Sequence, residues 1–90
     1  MLYFEFDPKK SVMNKDKHGI DFSEVQALWR DPKRLEVPAR TEDEPRFLVI
    51  GAIGSTRWGV VITYRDDRIR NISARRARPE EVRWYEGERV

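Results

Sequence analysis

The stretch from Arg68 to Ala77 constrains the fold more than any other part of this chain. It reads as a β-strand with apolar positions to bury, yet four of its ten residues are arginines. Arginine side chains are rarely buried without a partner, so they need solvent, a carboxylate or a bound anion. The stretch therefore predicts a sheet with one face open enough to hold an anion such as a phosphate.

The charge distribution along the chain supports this interpretation. The net charge is only +2, but residues 1–45 carry a net −2 and residues 46–90 a net +4. Every basic residue of the second half is an arginine, and arginine binds phosphate through two parallel hydrogen bonds. This asymmetry favours a polyanionic partner, and its structural alternative is a solvated basic surface.

Size and composition exclude several classes of protein. Ninety residues predict a single domain spanning 1–90, and the absence of cysteine excludes disulfides and cysteine-ligated metal sites. No apolar run approaches the roughly 20 residues of a membrane span. Residues 1–6 lack the basic start and apolar core of a signal peptide. We expect a cytoplasmic protein without a membrane partner.

Capping residues locate the first two helices. Asp7 is a good N-cap before Pro8, and Gly19 is a typical C-cap, so a helix is predicted from Asp7–Pro8 to about His18. Asp21 and Glu24 have capping-box spacing, which predicts a second helix that ends at Asp31–Pro32. A last helix is predicted from Pro79 to about Glu88.

The remaining segments predict strands. Their bounds are Leu2–Phe6, Leu35–Pro38, Arg46–Ala52, Arg57–Tyr64 and Arg68–Arg76. The element order β-α-α-β-β-β-β-α predicts an α+β domain with an antiparallel meander sheet and its helices packed on one face.

The last two strands are predicted to form a hairpin with Asp66-Asp67 as its two-residue turn. The pairs that follow from this turn are Arg65 with Arg68, Thr63 with Arg70, Val61 with Ile72, Gly59 with Ala74, and Arg57 with Arg76. This register places Arg57, Arg70 and Arg76 on an open basic face. It directs Arg75 toward the helices, where Glu24, Glu81 or a tyrosine hydroxyl could bind it. A change of one residue in the loop would exchange the two faces.

Three segments together resemble a known family. They are Phe6–Lys10 continuing through Asn14 to Lys17–Phe22, Arg46–Gly51, and Arg70–Ala77 followed by Glu81 and Tyr85. In this order they are similar to the BrnT toxins of type II toxin–antitoxin systems, and the resemblance covers nearly the whole chain. Two positions depart from the family pattern: Asn71 replaces a usually aliphatic residue, and Arg78 replaces a common helix-capping threonine.

The resemblance implies a RelE-like fold and an endoribonuclease that inhibits translation by cutting RNA. It also implies a cognate BrnA-like antitoxin with a ribbon-helix-helix DNA-binding domain. Operator DNA would then be bound only through the antitoxin. The alternative from another class is a non-catalytic module that binds RNA or protein through the arginine-rich sheet face.

Cleavage of RNA without a metal requires an acid, a base and cations around the phosphate. His18 is the only histidine and the first candidate for acid or base. Lys17 is a candidate for phosphate binding or, with a lowered pKa, for the base. Both could instead stabilise the C-terminal end of their helix.

The arginines and Tyr85 complete the predicted site. Arg75 and Arg76 are candidates for the scissile phosphate, although their side chains point to opposite faces, so only one is expected to touch it. Tyr85 could donate a proton or stack a base. Three further arginines are predicted to bind RNA: Arg46, Arg57 and Arg70. Salt bridges, surface charge and core packing are the structural alternatives. One histidine and scattered carboxylates form no recognisable metal-ligand set, and no cofactor is expected.

Overall fold

The computed structural model describes residues 3–40 and 43–87. The elements, in chain order, are β1 Tyr3–Glu5, α1 Pro8–His18, a 3₁₀ helix Glu24–Arg30, β2 Leu35–Ala39, β3 Arg46–Ile53, β4 Thr56–Arg65, β5 Arg68–Arg76 and α2 Pro79–Tyr85. The predicted α+β class is therefore confirmed, with five strands and three helical segments in the described residues. The predicted positions of Leu2 and Glu88 lie outside the described residues.

The sheet is mixed, so an antiparallel meander does not describe it. Its strand order is β1-β5-β4-β3-β2. Strands β2 to β5 pair antiparallel with their neighbours in the chain, but β1 pairs parallel with β5. A parallel neighbour requires a long crossover, and the chain between β1 and β5 supplies one.

The helices pack on both faces of the sheet, which corrects the prediction of a single face. One face, which carries Val49, Val60 and Ala74, packs against the helical segments that follow β1, and we call it the core face. The other face carries Leu48, Gly59 and Arg75, and α2 lies over this part of it. We call it the arginine face. The ion pair between Arg75 and Glu81 of α2 holds α2 on this side.

Helix α1 begins and ends at the predicted caps. The Asp7 carboxylate accepts a hydrogen bond of 2.9 Å from the Lys9 amide, and Pro8 occupies the first helical turn. At the other end, Gly19 has a left-handed φ of 82°, and its amide donates to the Lys15 carbonyl over 2.9 Å. The bounds of this helix therefore follow from its local sequence.

The second helical segment has the predicted capping box but a different helix type. The Asp21 amide donates to the Glu24 carboxylate over 3.0 Å, and the Glu24 amide donates to the Asp21 carboxylate over 2.7 Å. The seven residues that follow form a 3₁₀ helix, which buries Val25 and Leu28 three positions apart. Three-residue spacing is the repeat of a 3₁₀ helix, so one narrow stripe enters the core.

The main hydrophobic cluster of the described residues lies between the core face and these helical segments. Its buried members are Ile20, Phe22, Val25, Leu28, Val49, Trp58, Val60, Ile62, Ile69 and Ala74. Phe4 packs edge-on against Trp29 with ring centroids 5.0 Å apart, which anchors the short β1. A Cβ at Gly51 would come within 2.8 Å of Leu28, so the 3₁₀ helix approaches the sheet closely because that position is glycine.

The hairpin turn is correct, but a β-bulge changes the register beyond it. Arg65 pairs with Arg68 and Thr63 with Arg70, as predicted. The register then shifts between Val61 and Ile62, so that Ile62 pairs with Asn71 and Val61 with Ser73. Ile72 is the extra residue.

The bulge exchanges the sides of the two consecutive arginines. Trp58 pairs with Arg76, and Gly59 pairs with Arg75. The predicted pairs of Val61 with Ile72, Gly59 with Ala74 and Arg57 with Arg76 are therefore wrong. Arg76 lies on the core face, and Arg75 joins Arg57 and Arg70 on the arginine face. A shift of one residue reverses every side chain that follows it.

Candidate functional site

Arg75 is bound by a carboxylate on the arginine face. Its two terminal nitrogens donate to the two oxygens of Glu81 over 2.8 and 3.0 Å. Burial raises the pKa of Glu81, but the hydrogen bonds from Arg75 and from the Arg78 amide outweigh burial and lower that pKa overall. Of the partners predicted for Arg75, Glu81 is the one it binds.

The same carboxylate starts α2. The Arg78 amide donates to Glu81 Oε1 over 2.9 Å, and Pro79 occupies the first turn. Glu81 is thus both the capping-box residue of α2 and the partner of Arg75. Because the Glu81 side chain is only 5% exposed, this pair connects β5 to α2 rather than presenting a charge to solvent.

Tyr85 belongs to a second cluster at the far end of α2. Its hydroxyl donates to Asp31 Oδ2 over 2.5 Å, and the same oxygen accepts the Ala52 amide over 2.9 Å. The hydrogen bond to Asp31 raises the pKa of Tyr85. Although burial raises the pKa of Asp31, its hydrogen bonds from Tyr85 and two backbone amides lower it overall. The phenol is therefore held neutral as a donor.

Arg57 lies against this second cluster. Its guanidinium is 5.6 Å from the centroid of the Tyr85 ring and 3.9 Å from Glu86. One terminal nitrogen donates to the Ser55 carbonyl over 3.2 Å, and the buried Nε has no partner among the described residues. The Tyr85 ring and the Glu86 carboxylate thus occupy most of the interaction surface of the Arg57 guanidinium.

Lys17 and His18 border a cleft of about 260 Å³ between α1 and β5. The residues that line it are Lys10, Met13, Asn14, Lys17, His18, Phe22, Ile72 and Ser73. Within the described ranges, Lys10, Lys17 and His18 make no ion pair, and no carboxylate lines the cleft. It is thus a cationic cleft with an apolar side.

Asn14 holds the two walls of this cleft together. Its amide nitrogen donates to the Ile20 carbonyl over 2.7 Å and to the Ala74 carbonyl over 2.9 Å, while its oxygen accepts the Ala74 amide over 3.2 Å. The last two bonds pair with the backbone N–H and C=O of Ala74, which a neighbouring strand would otherwise bind at this edge of β5. Asn14 is buried, so α1 is attached to β5 at a defined distance.

The remaining arginines of the predicted site differ in their exposure and in their carboxylate partners. Arg76 is exposed and lies 6.0 Å from the centroid of the Trp58 ring. Arg46 is exposed at the start of β3. Arg70 is half-buried and lies 3.9 Å from Glu5, which is also 3.6 Å from Arg68. Arg46 and Arg70 lie on the part of the arginine face beyond α2.

The predicted catalytic residues thus fall into separate places. Lys17 and His18 line the cleft, Arg75 and Tyr85 belong to the two clusters of α2, and Arg76 lies at the end of β5. Within residues 3–40 and 43–87, no hydrogen bond or ion pair joins Lys17 or His18 to the other three. In that same part of the chain, no three histidine or carboxylate side chains are grouped as metal ligands, and no helix is long and apolar enough to cross a membrane.

A family model described as "Ribonuclease toxin, BrnT, of type II toxin-antitoxin system" matches residues 6–81. The chain belongs to the BrnT family. No curated protein matches it. As a BrnT family member it is a ribonuclease toxin, and type II membership implies a protein antitoxin as its partner. The matched region contains Lys17, His18, Arg75 and Arg76 but ends before Tyr85.

Sequence reasoning missed two residues of this BrnT chain that organise the site. Asp31 was predicted only to end a helix, yet it receives Tyr85, which is 54 positions away in the chain. Lys10 lies in a segment that resembles the family, and its spacing from Asn14 and Lys17 places all three on one side of α1. Helical periodicity was therefore a usable signal for Lys10, and no local signal existed for Asp31.

Proposed function

We propose that this BrnT toxin inhibits translation by cutting RNA in the cleft between α1 and β5. The observation that carries the proposal is the position of His18 and Lys17 in a cleft lined by cations and no carboxylate. His18 is the one histidine of the chain, and imidazole is the side chain that most often serves as acid or base in catalysis. The Lys17 ammonium beside it has no carboxylate partner within the described residues, which suits a phosphate.

The reaction we propose needs no bound metal. The 2′-oxygen of RNA attacks the adjacent phosphorus while a base removes its proton. The bond from phosphorus to the 5′-oxygen breaks, and an acid protonates that oxygen. The products are a 2′,3′-cyclic phosphate and a 5′-hydroxyl. His18 serves as acid or base, and Lys17 binds the phosphate or shares the proton transfer.

The arginines take different roles in this proposal. Arg76 contacts phosphate, because it has no carboxylate partner among the described residues. It also lies close to α1 along the chain, since Asn14 of α1 binds Ala74, two residues before Arg76. Arg46 and Arg70 bind flanking RNA on the arginine face. Arg75, Arg57 and Tyr85 support the site by holding α2 in place, because their head groups already have partners.

The partner and the setting follow from the family resemblance. We infer a RelE-like fold, a BrnA-like antitoxin with a ribbon-helix-helix domain that carries the complex to operator DNA, and a cytoplasmic location. Five strands in a mixed sheet with helices on both faces are compatible with a toxin of this kind.

The proposal is tested by incubating purified protein with single-stranded RNA in EDTA. We expect cleavage of the RNA, a cyclic phosphate at the new end, and no cleavage of the same sequence with 2′-O-methyl groups. His18→Ala and Lys17→Ala should each lower the rate by about 10²–10⁴-fold at an unchanged melting temperature. Lys9→Ala, on the same helix but outside the cleft lining, is the matched control. Intact RNA after incubation with folded protein would contradict the proposed cleavage and favour the alternative, a non-catalytic module that binds RNA or protein.

A further inference from the structure

Lys10 lines the cleft about two helical turns N-terminal to Lys17. Lys10, Asn14, Lys17 and His18 all line it, and their spacing of four, seven and eight residues is that of one helix face. At 1.5 Å per residue, Lys10 and Lys17 lie about 10.5 Å apart along the axis. The cationic surface therefore extends along α1 instead of surrounding one point.

The opposite wall is the outer edge of β5 at its bulge. Strand β1 ends at Glu5, which pairs with Arg70, so Ile72 and Ser73 lie beyond the last paired residue of β1. Asn14 then binds the edge again at Ala74. Between these two attachments the edge of β5 faces α1 across the cleft, and Ile72 and Ser73 form this wall.

The charges on α1 are divided between its two sides. Lys15 points away from the cleft and binds Glu24 over 2.7 Å. Lys10 and Lys17 have no such carboxylate within the described part of the chain. Ile72 and the exposed Met13 supply apolar surface beside these cations. Unopposed cations spaced along an apolar groove suit a strand with repeating phosphates and flat bases.

We propose that Lys10 binds a second phosphate of the RNA strand, next to the one held at Lys17 and His18. The strand runs along α1, and the base between the two phosphates lies against the apolar side of the cleft. This inference rests on the proposed function for the identity of the strand. Lys10 is a substrate-positioning residue in it, since it lies too far along the helix to join the proton transfers at His18.

The test measures binding apart from cleavage. The probe is a short, fluorescein-labelled single-stranded RNA with 2′-O-methyl groups throughout, which has no nucleophile and stays intact. Fluorescence anisotropy gives its affinity at several salt concentrations for the wild type, Lys10→Ala and Lys9→Ala. We expect Lys10→Ala to weaken binding several-fold and to reduce the salt slope by about 0.7, the value for one phosphate contact on a single strand. Lys9→Ala should match the wild type.

Short probes test the spacing. A 2′-O-methyl dinucleotide has one internucleotide phosphate and a trinucleotide has two, and NMR shift titration reports their weak binding. Lys10→Ala should weaken the trinucleotide and spare the dinucleotide. Equal weakening of both, or wild-type binding of the long probe by Lys10→Ala, would overturn the inference even if the enzyme cleaves RNA. Loss of binding in Lys10→Ala would support it even if the wild type fails to cleave.

Discussion

Two buried asparagines of this protein should respond in opposite directions to the same substitution. Asn71 and Asn14 are both almost fully buried, with relative exposures of 3% and 7%. Neither polar atom of the Asn71 side chain has a hydrogen-bond partner among the described residues. Asn14 makes three hydrogen bonds of 2.7 to 3.2 Å. The pair separates the effect of burial from that of hydrogen bonding.

Leucine has nearly the shape of asparagine with two methyl groups in place of the amide atoms. Asn71→Leu removes a polar group that is buried without partners, whose desolvation costs about 1–3 kcal/mol. We expect Asn71→Leu to stabilise the fold by about 1–2 kcal/mol, which corresponds to a rise in Tm of roughly 5–10 °C for a domain of this size.

Asn14→Leu should destabilise the fold by at least about 2–4 kcal/mol, because it leaves the backbone groups of Ile20 and Ala74 without their partner. Urea unfolding followed by tryptophan fluorescence measures both variants, and Asn14→Asp adds a variant that keeps one acceptor. A free energy of unfolding for Asn71→Leu below that of the wild type would refute the reasoning, since burial without hydrogen bonds would then not be a cost at this position.

Three further changes test other contacts. Gly51→Ala should destabilise by about 1–3 kcal/mol, since its Cβ would lie 2.8 Å from the fully buried Leu28; urea unfolding measures this, and an unchanged midpoint would show that Leu28 can move. The lowered pKa of Glu81 means that its ion pair stabilises the fold above the ordinary glutamate pKa of about 4.3 and is lost as the pH falls through the folded-state value. Glu81→Gln should therefore be less stable than the wild type at pH 7 and lose less stability between pH 7 and pH 3, as judged by denaturation at each pH; parallel pH profiles would contradict this. Tyr85→Phe should cost about 1 kcal/mol through the lost bond to Asp31 while cleavage by the folded variant is retained; a rate loss without a stability loss would place Tyr85 in the chemistry.

The order of elements was predictable because its signals are local. Asp7, Pro8 and Gly19 each act on the backbone within a few residues, so the bounds of α1 follow from sequence. The second helical segment shows the limit of such signals. Its capping box forms as predicted, but the segment is a 3₁₀ helix. It packs closely against Gly51 and buries residues at three-residue spacing, and the capping box does not encode these contacts.

The sheet and the site depend on contacts that local patterns do not encode. No residue of β1 signals that its neighbour is β5, and nothing in the run from Ile69 to Arg76 shows that Ile72 is the residue left out of the ladder. That one residue determines which arginine meets Glu81 and which remains free. Their side-chain chemistry makes His18 and Lys17 candidates from sequence, but no local pattern indicates that Ile72 and Ser73 form the other wall of their cleft.

The attachment of α1 to β5 has a consequence for the timing of synthesis. Asn14 and Ala74 are 60 positions apart in the chain, and β1 likewise pairs with residues 68–70 near the other end. Synthesis proceeds from the N-terminus, and contacts between distant segments form late in folding. A ribosome that has made only the first helix and the β2–β4 hairpins has made one wall of the cleft. On the cleavage site proposed above, the nascent chain can therefore cut RNA only after β5 has emerged, because Ile72 and Ser73 form the second wall.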